Sequence, residues 1–160
     1  METMVLPAMA GGLVGTAVRA LEAGPVSDWP ANAVEQGRGL FRCAADALLA
    51  LRDALEAELD QGTVARPFVA RWGPVLDGLE RDAPAVAAAV PAAPRALADD
   101  LRAASDAAES LRSRLREVLA TVRAALAKPI DMEAVRAAEE RMKAGHFVTH
   151  EQLEKELLGK

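Results

Sequence analysis

Two histidines, His146 and His150, stand four residues apart, with Glu151 beside the second. That spacing makes a zinc site when one continuous helix projects both imidazoles from the same face. Here continuity is broken. Gly145 precedes the pair and is the residue type that takes the left-handed conformation ending a helix. Thr149 then opens a new helix, because Thr149 and Gln152 form a capping box: the hydroxyl accepts from the Gln152 backbone N–H and the amide reaches back. His146 therefore falls in an extended link and His150 in a first helical turn. Val148 is placed to staple onto Leu153, and Glu151 suits the positive end of the helix dipole. This reading accounts for six residues together, whereas a metal reading uses three and lacks a further firm ligand. No metal is expected.

Other residue types that carry chemistry are equally constrained. With both histidines in the tail, no Ser/His/Asp arrangement can be assembled. Gly11-Gly12 lacks the Gly-Lys-Ser/Thr that grips a triphosphate. Asp99-Asp100 and Glu139-Glu140 are adjacent pairs, and neighbours on a helix point about 100° apart, so neither pair shares one acid–base site. Glu-x-x-His pairs, which build di-metal centres in bundles, do not occur. The single cysteine, Cys43, follows Phe41 in a helical pattern and is expected to be a small buried apolar side chain. Neither an enzymatic activity nor a cofactor is expected.

The elements that would position any site are helical. Apolar residues make up 51% of the 160 residues but aromatics only 3%, a balance of Ala and Leu that favours closely packed helices over sheets. Asn32 to Leu59 places Val34, Gly37, Phe41, Ala44, Leu48, Leu51 and Leu55 at alternating intervals of three and four. Arg95 to Leu126 does the same with Leu97, Leu101, Ala104, Ala108, Leu111, Leu115, Val118, Val122 and Ala125. Leu119 and Leu126 widen that stripe toward a bundle face. Gly62 and Pro129 are placed to stop the two helices. Between them Pro67, Pro74, Pro84, Pro91 and Pro94 predict a helix over about 64–81, kinked near Gly73-Pro74, then a short Ala-rich turn. The fold class is all-α: an up-and-down helical bundle with two long antiparallel helices and a C-terminal helix pair. The heptad stripe also allows a homodimer. Trp29 and Trp72 are read as anchors, with a small-ligand pocket near Trp72 as one alternative function.

The uncharged run from Met4 to Val18 is too short to span a bilayer as a helix and lacks the basic start of a signal peptide. With Pro7 and Gly11-Gly12 it is expected to be a poor regular helix, docked on the body, and membrane association is not expected. Net charge is −5 with no basic patch, which argues against nucleic acid as a partner. Arg112, Arg114 and Arg116 are expected to form a solvated face. One cysteine fits a reducing cytoplasm.

Composition breaks at Lys128. All four lysines, both histidines and the only Ile lie at or beyond it, while thirteen of fifteen arginines lie before it, so 1–128 and 129–160 read as separate parts. In the second part Asp131 is a helix N-cap, Gly145 a stop, and a second short helix follows. The stretch Gly145, Phe147, Val148, Thr149, His150, Glu151, Leu153 resembles the C-terminal tail of small bacterial antitoxins of the prevent-host-death type, where a glycine, an apolar pair, a Ser/Thr/Pro and His-Glu-Glu-Val commonly follow one another. The family's N-terminal DNA-binding part has no counterpart here; an acidic helical body stands in its place. The resemblance implies a tail that docks on a partner protein, a toxin in that family, through Val135, Met142, Phe147, Leu153, Leu157 and Leu158. The leading expectation is therefore a protein–protein interaction module; the alternative is a self-assembling structural bundle.

Overall fold

The computed structural model describes residues 5–145, with side-chain packing from residue 14 onward, and divides into two compact units, 1–126 and 127–160. The first unit holds α1 (Val5–Glu22), α2 (Ala31–Asp60), α3 (Ala65–Ala89) and α4, which runs Arg95–Ala127. The second holds α5 (Met132–Lys143). All described elements are helical, as the composition requires.

The core takes most of the stripes read from the sequence, although Val34 and Val122 are only partly buried and Ala125 and Leu126, at the end of α4, are exposed. Phe41, Ala44, Leu48, Leu51 and Leu55 of α2 are buried, as are Leu97, Leu101, Leu111, Leu115 and Leu119 of α4. Each such Leu contributes about 1.5–3 kcal/mol by leaving water. Because the α4 stripe is used inside the unit, a second copy of the chain would have to pair through another face. Gly62, at φ +84°, ends α2 in the left-handed conformation that a side chain would oppose.

Polar ties between helices fix their directions. Arg42 reaches Asp100, Arg52 reaches Ser110 and Arg114 reaches Glu56, each pair 58 positions apart. Partner numbers that rise together mean that α2 and α4 run parallel. Between α3 and α4 they run oppositely: Glu80 meets Arg116, whereas Gly73 lies against Arg123. The expectation that the two long helices are antiparallel to one another is thus corrected; each is antiparallel to α3, which lies between them in the chain. The cause is α3 itself. It is not broken at Gly73-Pro74 but continues through Pro74 and Pro84 to Ala89. Each internal proline costs about 3 kcal/mol. Both are exposed, so the carbonyls they leave unpaired are on the side that water reaches. The opposite side buries Phe68, Trp72, Leu76, Leu79, Ala83 and Val86, enough apolar surface to offset the two breaks.

Residues 5–22 likewise form a regular helix rather than a poor one. Pro7 sits in the first turn, where its missing N–H has no intrahelical partner to lose. Val14, Ala17 and Val18 are buried against α2 and α3, which compensates for the glycines. Cys43 is exposed, contrary to the expected burial: it lies two positions, about 200°, from Phe41, on the far side of α2. No described helix is long and apolar enough to cross a membrane.

Candidate functional site

Three places in the described residues carry the side chains from which a function can be built. The first is α5. Asp131 caps it, its carboxylate accepting from the backbone N–H of Glu133 at 3.0 Å and Ala134 at 3.1 Å. Glu133 in the first turn and Arg141 and Lys143 in the last complement the helix dipole. Gly145, at φ +79°, ends it. Met132, Val135, Ala138 and Met142 follow one another at intervals of three, three and four, which gathers them on one side. No residue of α5 is buried; Met132 is 57%, Val135 38% and Met142 64% exposed, and Ile130 just before it 75%. Of the six residues expected to contact a partner, Val135 and Met142 are on this helix. Phe147, Leu153, Leu157 and Leu158 lie outside the described residues, as do His146 and His150.

The second place is the polar seam along α4. Of Arg112, Arg114 and Arg116, expected to form a solvated face, Arg116 is half exposed, and both it and Arg114 also tie helices together. Arg114 forks onto Glu56 of α2 at 2.7 and 3.0 Å, and Arg116 pairs with Glu80 of α3. Arg112 is held by Glu109 at 2.6 Å. These contacts hold the Glu56 and Glu80 carboxyls below the usual range, chiefly through the hydrogen bonds from Arg114 and Arg116. The arginines alternate between α2 and α3 because successive even positions on a helix point about 200° apart. Charge spacing alone could not show which acid each would find.

Third are clefts in the first unit, two of which bear on the tryptophans and on the charged residues of α3. Trp72, the residue expected beside a ligand pocket, lines neither of these two. The residue is 2% exposed, its ring tilted against Phe68 at 6.3 Å between centroids, and its indole N–H donates to Glu58 at 2.8 Å. Glu58 also accepts from Arg71 at 2.7 Å. One cleft, of about 270 Å³, opens among α1, α2 and α3 over Leu48, Leu51, Val75 and Leu79, with Arg71, Arg81 and Asp82 at its edge. Asp82 accepts from Arg81 at 2.9 Å, and this contact raises the Arg81 pKa. A second cleft, of about 470 Å³, opens where α1 and α2 meet, and Trp29 forms part of its wall. Trp29 is the loop anchor that the sequence suggested. Its indole N–H donates to the Gly24 carbonyl at 3.3 Å, and its ring edge lies over Gly37, where a Cβ would come within 2.8 Å of Cζ3. A glycine inside a helix costs about 1 kcal/mol relative to alanine, and at Gly37 the missing Cβ is what makes room for the indole. Its appearance in the apolar stripe of α2 was the signal by which the cleft could have been found.

Among the described residues no group of three or more His, Cys, Asp or Glu side chains converges as a metal site. No protein family, curated protein or solved structure matches the chain.

Proposed function

We propose that this protein is a non-enzymatic, cytoplasmic protein–protein interaction module whose C-terminal tail docks on a partner protein, in the manner of an antitoxin engaging its toxin. The observation that carries this reading is the exposed apolar side of α5. A helix of 12 residues is marginal in water by itself, and most helical stability in proteins comes from packing an amphipathic face. Met132, Val135 and Met142 supply such a face, and the Asp131 cap and the dipole-matched charges keep the segment helical and ready to present it. The Met side chains suit a docking surface because they adapt to irregular partners. The stripe reads as the anchors of an amphipathic helix laid in a groove.

The test is capture of partners on the full chain beside its Val135→Asp, Met142→Asp double variant. Both positions are exposed, so the variant keeps the thermal transition of the parent. The expected result is a partner retained by the parent and lost from the variant. A partner retained equally by both, or none retained by either, defeats the proposal.

A further inference from the structure

We propose that the cleft beside Trp29 binds a small organic cation, an ammonium head carrying methyl or short alkyl groups. The site is built rather than incidental. The indole is held by its N–H bond to the Gly24 carbonyl and by the close seat over Gly37, a position that also neighbours Leu97 of α4. With its single donor used internally, the ring has only its π-surface left to offer a ligand. The rest of the lining near it is small, including Ala20 and Ala33, which leaves room for a bulky head. The polar residues of the lining are Asp28, whose carboxylate also accepts from the Ser27 hydroxyl at 3.2 Å, and Gln36, and among the described residues no Lys or Arg lines the cleft.

That combination selects the sign and the kind of ligand. An indole face carries negative potential and attracts cations, best of the aromatic side chains. Asp28 adds a formal negative charge, so an anion is repelled from both sides. The cleft among α1, α2 and α3 differs in this respect, since Arg71 and Arg81 are among its lining residues. A bare divalent ion is poorly served by one carboxylate, because hard cations require six or more oxygen ligands. An alkylammonium needs no such shell. Its charge is spread over methyl groups that pack on the indole and on the alanines, while Asp28 balances it from the rim.

The experiment uses the full chain and follows its two indole N–H signals by nuclear magnetic resonance, the Trp29 signal being assigned by its loss in Trp29→Phe. The probe is choline, and the control is its uncharged isostere 3,3-dimethylbutan-1-ol, with sodium chloride matching ionic strength. The Trp29 signal is expected to move saturably with choline while that of Trp72 stays in place. Binding should weaken about two- to fivefold in Asp28→Asn and by a similar factor for the isostere, the range set by a single exposed cation–π contact and one nearby charge. Asp28 is exposed, so its variant folds as the parent does. The absence of a saturable shift up to about 50 mM choline, a concentration that covers the weak end of such contacts, overturns the proposal. So does equal binding of the isostere, or binding unchanged in Asp28→Asn.

Discussion

Glu58 is where one side chain decides whether a core aromatic keeps its polar group satisfied. Trp72 is almost completely buried, and its indole N–H donates to the Glu58 carboxylate at 2.8 Å. Glu58→Ala removes the acceptor and strands that donor away from water. An unsatisfied buried donor costs about 1–3 kcal/mol, whereas Arg71, itself about a third exposed, recovers water when its partner is lost and adds little. The expected loss is therefore about 2 kcal/mol, or about 4–8 °C in melting temperature for a chain of this size. Glu58→Gln retains an oxygen that can accept from the indole and should cost no more than about 1 kcal/mol. Urea unfolding followed by circular dichroism measures both. A double-mutant cycle with Trp72→Phe isolates the contact: in the Phe background Glu58→Ala should cost less than about 0.5 kcal/mol. If Glu58→Ala costs the same in both backgrounds, or Glu58→Gln is as harmful as Glu58→Ala, the hydrogen bond is not what Glu58 contributes and the reasoning fails.

Three further outcomes are expected. Because Arg114 and Arg116 lower the pKa values of Glu56 and Glu80 in the folded chain, that contribution is complete at neutral pH. It declines as pH falls below the ordinary value of 4.5 and through the depressed ones. Denaturation midpoints measured down the acid range should fall less steeply in a Glu56→Gln, Glu80→Gln variant than in the parent; equal slopes would count against it. Cys43, being exposed, should react with a thiol reagent in native buffer within about tenfold of the rate of a free thiol, while protection until unfolding would place it in the core after all. Leu111→Asp puts a carboxylate where the side chain is fully buried and should cost more than about 4 kcal/mol, abolishing the cooperative transition rather than dissociating an oligomer. Loss of self-association with the helical fold intact would contradict this.

The helices and their inward faces were legible in the sequence because both depend on spacing along one element. Phe41, Leu48 and Leu55, or Leu97, Leu111 and Leu115, lie on one side of a helix whatever surrounds it, and the burial of each follows. Caps are local too: Asp131, Gly62 and Gly145 act on the backbone within a few residues of themselves. What depended on distant partners was not legible. Whether Pro74 and Pro84 break α3 depends on how much apolar surface its other side buries, and that surface belongs jointly to α1, α2 and α4. With α3 continuous and antiparallel to each of its neighbours, α2 and α4 run parallel, so the relation between the two longest helices depends on whether those prolines break α3. The arginines of α4 find Glu56 and Glu80 only after the helices are set side by side. Trp29 acquires a cleft only because Gly37, eight residues on, lets the indole approach. Periodicity and capping are properties of a segment and could be read from the chain; pairing, direction and the clefts are properties of packed segments, and only the tertiary structure decided them.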